Sequence, residues 1–342
     1  MRYQNVEIHN AVERILPEKG EGFYFSRIPE SVREHLNAGA QDRALWTAGS
    51  EIRCILKDGS LRIILENETP LVSIAEIYYG PFFHSFQSLE YGKQSEILVE
   101  KPKNIHLLRE IAEKENSPFD PEVVRVLLPY TGRIRFYAIF VEGSAELPNP
   151  NQVPSRICLM YGSSITHGQT GLTATGGYAM QTARRLGIDL FNLGFGSGAH
   201  CEVEIAEYIS DRDDWDFAFF ELGINMVYTF EPDEFNRRIR FFLGRIAKAH
   251  KEKWVFCTDL FRFSGDFFSP SHPGMEKQNE FRQIVAAAVE DLSLSKLLYF
   301  DGRDLLPSYL GLGEDMIHPS PFGMQMISEI LAKEIQKALA KE

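Results

Sequence analysis

Apolar and polar positions follow one rhythm before about residue 150 and a different one after it. In the first part, short runs alternate with period two, the pattern of strands buried on one face. The stretch ALWTAGSEIRCILKDGSLRIILE holds two such runs around Lys57-Asp58-Gly59-Ser60, which reads as a hairpin turn. LVSIAEIYYGPFFHSF, SEILVEKP, VVRVLLP and GRIRFYAIFVEG add strands at short intervals, with one short helix, HLLREIAEKEN, among them. That spacing predicts an all-β sandwich of jelly-roll type. The aromatic cluster Tyr78, Tyr79, Phe82, Phe83 and Phe86 is expected to pack in its core or between domains, a sugar platform being the other reading.

Three prolines among polar residues in ELPNPNQVPS, Glu146 to Ser155, mark a linker. It divides the chain into a β domain over 1–148 and a second domain over 155–342. In the second part RICLMY, IDLFNLG, DFAFFELG, KWVFCTD and KLLYFDG are short apolar runs suited to strands covered on both faces. Amphipathic stretches separate them, and PFGMQMISEILAKEIQKALA closes the chain as a helix. Alternating strands and helices predict an α/β fold, a three-layer α/β/α sandwich around a five-stranded parallel sheet. In such sheets ligands bind off the carboxyl ends of the strands.

Composition narrows the function classes. A length of 342 residues exceeds one hydrophobic core, and 44% hydrophobic with 25% charged residues is ordinary for a globular chain. The formal net charge of −12, without a Lys/Arg cluster, argues against a nucleic-acid partner. No apolar run approaches the ~18 residues that span a bilayer, so no membrane partner is expected. The N-terminus lacks an apolar segment followed by a cleavage site, so a cytoplasmic location is expected. Cys54, Cys158, Cys201 and Cys257 form no C-x-x-C pair and read as buried thiols. Neither they nor the histidines have metal-ligand spacing, so neither a metal nor a cofactor is expected.

Four segments at expected strand ends carry chemistry. Tyr161-Gly162-Ser163-Ser164-Ile165-Thr166-His167-Gly168 places Ser164 on a Gly-flanked strand-to-loop turn, where its hydroxyl can attack and its N–H can face an oxyanion. A helix-capping Ser/Thr loop is the plainer reading. Asn192 to His200 holds Gly194, Gly196, Ser197 and Gly198. It offers backbone donors, or a tight turn, or a G-x-G-x-x-A dinucleotide loop ending at Ala199. The last reading is weakened because the loop lies in the second βα turn and no acidic residue closes the next strand at about twenty residues. Phe220-Glu221-Leu222-Gly223-Ile224-Asn225 ends in a neutral amide able to donate to an oxyanion, although Asn is common in plain turns. In Asp315-Met316-Ile317-His318-Pro319 the spacing lets a carboxylate hold the imidazole Nδ1–H, leaving Nε2 as a base.

These four segments, in this order, resemble the blocks of the SGNH (GDSL-like) hydrolases, of the subgroup with an N-terminal β-sandwich. Ser163 stands where the better-known form has Asp. The resemblance implies a Ser164–His318–Asp315 triad and an oxyanion hole of the Ser164 N–H, a loop amide and Asn225. The family's loop glycine falls on Ser197, flanked by Gly196 and Gly198, which leaves three candidate amides. The implied function is a serine esterase acting on small acyl esters, acetyl among them, with acylated carbohydrates as the substrate class. An acyltransferase with the same nucleophile, a non-catalytic sugar-binding protein and a nucleotide-dependent oxidoreductase remain alternatives, and a homo-oligomer stays open. His167, His200 and His272 are further candidates for the pocket wall, while His9, His35, His84, His106 and His250 read as surface or satisfied core residues.

Overall fold

The structure is a computed structural model that describes residues 1–269 and 273–341, so the expectation for His272 lies outside the described residues. The N-terminal part contains β1 (Arg2–Tyr3), β2 (Val6–His9), β3 (Glu13–Ile15), β4 (Tyr24–Ser26), β5 (Glu51–Asn67), β6 (Ser73–Tyr79), β7 (Phe82–Leu89), β8 (Gln94–Glu100), β9 (Val123–Leu127) and β10 (Ile134–Glu146). Its eight-stranded sheet pairs antiparallel throughout and runs β1-β2-β5-β9-β6-β7, with β8 and β10 also on β5. The all-β expectation holds.

The hairpin expected at Lys57–Ser60 does not form. Instead β5 runs through it as one strand, pairing with β2 and β9 along its first half and with β8 and β10 along its second. Gly59 and Gly143 oppose each other at φ +74° and +97°, and a Cβ on Gly59 would lie 1.6 Å from the Glu142 carbonyl oxygen. The turn-forming residues therefore bend the strand, and the register shift on β10 at Ser144/Ala145 marks the irregularity. Pairing with β10 along most of β5 outweighs the local turn preference. The aromatic cluster also departs from expectation. Tyr78 and Tyr79 are buried, but Phe83 and Phe86 are 56% and 63% exposed. They lie on β7, which has a neighbour on one side only.

The C-terminal part contains β11 (Ile157–Gly162), β12 (Asp189–Gly194), β13 (Phe217–Glu221), β14 (Trp254–Thr258) and β15 (Leu297–Phe300). They form a parallel five-stranded sheet in the order β12-β11-β13-β14-β15. Helices Tyr178–Leu186 and Pro321–Leu339 pack together, as do Val203–Ser210, Pro232–Ala249 and Pro273–Leu292, giving the expected three layers. All of β13 is buried, which explains its unbroken apolar run. Chain order reverses at β11, so a crevice opens off the carboxyl ends of β11, β12 and β13. Among the described residues no helix is long and apolar enough to cross a membrane, and all four cysteines are free and buried.

A buried ion network joins the two parts. Arg53 of β5 makes paired bonds of 2.6 and 2.8 Å to Asp189, the first residue of β12, and its Nε reaches Glu51 at 2.8 Å. Arg125 of β9 closes on the same Glu51 at 2.8 and 2.6 Å. His9 adds a 2.8 Å contact from Nε2 to the Leu190 carbonyl and stacks on Phe191. Burial by itself would raise both carboxyls, but Arg125 and Arg53 hold Glu51, and Arg53 with His9 holds Asp189, below the usual carboxylate range. Their contribution to stability is therefore present above about pH 4 and is lost as pH falls through the depressed folded values. Asp189→Asn leaves Arg53 without its bidentate partner, which is expected to cost about 3–5 kcal/mol and to weaken this acid dependence. Urea unfolding at several pH values checks it, and an unchanged midpoint contradicts it.

Candidate active site

The site is assembled at that crevice. β11 ends at Gly162, where a Cβ would stand 2.3 Å from Thr166 Oγ1 and 2.6 Å from Glu221 Oε2, so only glycine fits. Ser163 then caps the short helix Ser164–His167, its Oγ accepting the Ile165 N–H at 3.1 Å. Glu221, at the end of β13, lies beneath this turn. Its Oε2 accepts the Ser163 N–H at 2.7 Å and the Thr166 hydroxyl at 3.0 Å, while buried Oε1 has no partner among the described residues. Burial pushes this carboxyl up despite those bonds.

The Ser164 hydroxyl lies 2.7 Å from His318 Nε2, and His318 Nδ1 lies 2.6 Å from Asp315 Oδ2. The spacing works because the segment is a tight turn in which Asp315 Oδ1 accepts the N–H groups of Ile317 and His318, both at 2.9 Å. Burial would raise the Asp315 carboxyl, but the bonds from His318 and from these amides hold it below its usual value. The carboxylate side chain is 45% exposed and the imidazole 18%. Met316 takes φ +56° at the tip of the turn, and Gly313 donates to the His318 carbonyl at 2.7 Å.

Asn225 follows Gly223, which takes φ +117°. Its Oδ1 accepts the Ala199 N–H at 3.2 Å, which orients the amide and leaves Nδ2 as the free donor. The loop Phe195–Ala199 lies beside Ser164, and a Cβ on Gly196 would stand 3.4 Å from Ser164 Cβ. Of the three loop amides, that of Gly198 is committed to the Phe195 carbonyl at 2.9 Å. Ser197 takes φ +62° and turns its carbonyl toward Gly39. The N–H groups of Gly196, Ser197 and Ser164 make no hydrogen bond among the described residues, and of the two loop residues Gly196 is the one that stands against Ser164. Gly194 is glycine for packing, since a Cβ there would lie 2.2 Å from His167 N.

His167 does not line the crevice. It is buried, with Nδ1 2.9 Å from the Gly194 carbonyl and Nε2 2.7 Å from the Tyr130 carbonyl. Burial, with Arg27 nearby, pushes the imidazole down to about 3, so at neutral pH the ring donates to one of the two carbonyls. His200 is half-buried and meets Phe230 edge-on. His9 and His250 are buried, and His35, His84 and His106 are exposed. Among the described residues no three His, Cys, Asp or Glu side chains converge as metal ligands.

Residues from the N-terminal part complete the surroundings, and no motif announces them. The helix Ala38–Arg43 lies against the loop so closely that a Cβ on Gly198 would be 2.3 Å from Ala40 N. Asn37 caps this helix and donates to the Gly198 carbonyl at 2.8 Å. Arg27, fully buried, donates to the carbonyls of Arg43, Trp46, Asn192 and Gly194. Glu221 does lie within a recognisable block, and the signal available for it was a carboxylate ending a wholly apolar strand.

Residues 160–326 match the model of the GDSL-like lipase/acylhydrolase family. The C-terminal domain belongs to this family. Ester-bond hydrolysis is accordingly the reaction class of this acylhydrolase domain. The whole-chain fold is shared with a salicylyl-acyltransferase from a tetracycline biosynthetic pathway, at 17% identity, TM-score 0.79 and coverage of 98% of this chain and 95% of the other. A GDSL-like lipase described from Bacteroides ovatus is similar at 18% identity and TM-score 0.70, covering 98% of each chain. A family two carbohydrate esterase from Clostridium thermocellum, in complex with cellohexaose, is similar at 15% identity and TM-score 0.61, covering 86% of this chain and 94% of that one. None of the curated proteins compared matches the sequence.

The buried carboxylate under the acylhydrolase turn gives a stability prediction independent of activity. Glu221→Ala leaves the Ser163 N–H without its acceptor and the Thr166 hydroxyl with only the Tyr178 hydroxyl, 2.7 Å away, which is expected to cost about 1–3 kcal/mol. Glu221→Gln keeps an acceptor oxygen and is expected to cost less. Chemical unfolding ranks the two, and equal stability of Glu221→Ala and the parent contradicts the account.

Proposed function

We propose that the protein is a serine esterase in which Ser164 is the nucleophile, His318 the general base and Asp315 the residue that orients the imidazole and stabilises the imidazolium that forms. The observation that carries this reading is the continuous run Ser164 Oγ–His318 Nε2 at 2.7 Å and His318 Nδ1–Asp315 Oδ2 at 2.6 Å. Ser164 Oγ bonds to the ester carbonyl carbon as its proton passes to Nε2. The bond to the alcohol then breaks, the proton goes to the departing oxygen, and an acyl-Ser164 remains for water to cleave by the same route. The N–H groups of Ser164 and Gly196 and Asn225 Nδ2 form the oxyanion hole, each being a donor without another partner.

Small acyl esters of carbohydrates are the proposed substrates. Similar folds described as a carbohydrate esterase with cellohexaose and as an acetyl xylan esterase from Butyrivibrio proteoclasticus support this class. The likeness to a salicylyl-acyltransferase, with a TM-score of 0.79, supports a second reading in which an alcohol replaces water as acceptor. Ser164→Ala is expected to abolish both hydrolysis of 4-nitrophenyl acetate and labelling by a fluorophosphonate, and labelling that persists points to another nucleophile. Asn225→Ala is expected to lower kcat by about 10²–10³-fold, the worth of one oxyanion donor. Product analysis with added alcohols separates hydrolysis from transfer.

A further inference from the structure

A cation that the ester chemistry does not use faces the nucleophile from the N-terminal part. Arg43 ends the helix Ala38–Arg43, and its Nε lies 3.5 Å from the point where a Cβ on Gly196 would be. Ser164 Cβ is 3.4 Å from that same point, so guanidinium and nucleophile meet across a residue that has no side chain to separate them. The guanidinium is held over the Trp46 ring, 3.9 Å from its centroid, and the side chain stays 29% exposed. Its Nη1 pairs with Asp42 Oδ2, which also accepts from Trp46 Nε1, while Asp42 Oδ1 pairs with Arg133 at 2.5 Å. One carboxylate thus serves two guanidinium groups and leaves one positive charge unmatched. Arg43 Nε and Nη2 make no hydrogen bond among the described residues. On a chain of net charge −12, such a charge beside the nucleophile is not a by-product of a basic surface.

We infer that Arg43 is a specificity-determining residue that pairs with a carboxylate on the acyl part of the ester. The inference rests on the esterase reading and adds the chemical class of the acyl group. His318 protonates the departing alcohol, so the alcohol lies on the imidazole side. Arg43 stands beside Gly196, on the loop that supplies an oxyanion donor, and neither its hydrogen bonds nor its ring contact involve His318, so the acyl chain is the part of the ester assigned to it. Two unspent N–H donors in a planar fork suit a carboxylate oxygen pair better than a neutral chain end.

The test compares monoethyl succinate with ethyl pentanoate, a neutral ester of similar acyl length, by chromatography of the released acid. The parent enzyme is expected to favour monoethyl succinate at least about ten-fold in kcat/KM, chiefly through KM, the worth of one charge-assisted pair. That ratio should collapse toward unity in Arg43→Gln and be partly restored in Arg43→Lys. In the parent alone it should shrink several-fold as salt rises from about 0.05 to 0.5 M, a readout that survives a variant failing to fold. Equal kcat/KM for the two esters, a salt-independent ratio, or the same ratio in folded Arg43→Gln overturns the inference and leaves the esterase reading standing. A preference for acetoxyacetate over ethyl acetate with none for monoethyl succinate places the anion on the alcohol and overturns it too. Failure of the parent enzyme to hydrolyse any of the four esters removes the esterase reading and the inference with it.

Discussion

Arg27 is buried without a carboxylate partner, and its donors end on carbonyl oxygens of Arg43 and Trp46 on one side and of Asn192 and Gly194 on the other. Burial pushes the guanidinium down to about 9, which still leaves it charged at neutral pH. A cation stripped of water is costly unless dipoles replace the hydration shell, and here four carbonyls at 2.5–2.8 Å do so. Phe195, whose ring centroid is 5.0 Å away, covers another side. Separating the helix Ala38–Arg43 from the end of β12 would expose this charge half-satisfied. The loop Phe195–Ala199 therefore has a wall that belongs to the N-terminal part.

The same constraint explains the distribution of small residues. Gly162, Gly194 and Gly198 each stand where a Cβ would fall 2.2–2.6 Å from a neighbouring atom. The turn that carries Ser164, the end of β12 and the helix Ala38–Arg43 are thereby packed backbone against backbone. The two acids flanking Ser164 differ in environment accordingly. Asp315 is half in solvent and holds an imidazole, whereas Glu221 is enclosed and holds the turn that carries the serine.

The N-terminal part is thus more than an appendage. β5 and β9 grip the first residue of β12 through Arg53, Glu51, Arg125 and Asp189, and the segment from Arg27 to Trp46 covers the other end of the same strand. One parallel strand is clamped at both ends by groups from the N-terminal part. The surroundings of Ser164 are built from both parts of the chain.

The change of hydrophobic period and the four blocks at strand ends were legible because each depends on neighbours a few residues apart. An Asp-x-x-His turn, a Gly-flanked serine and a buried apolar strand are local facts, and they carried the α/β fold and the choice of Ser164, Asn225, Asp315 and His318. What depended on distant partners was not legible. Lys57–Ser60 reads as a turn until β10 pairs across it, and Phe83 and Phe86 read as core until β7 proves to be an edge. Gly198 looked equal to Gly196 as a donor until its N–H closed on Phe195. Arg27 and Arg43 carry no motif at all, since their partners in β12 and the following loop lie some 150 residues further along the chain. Local chemistry is written in sequence spacing, but which buried charge meets which carbonyl is decided only when the two sheets close on one another.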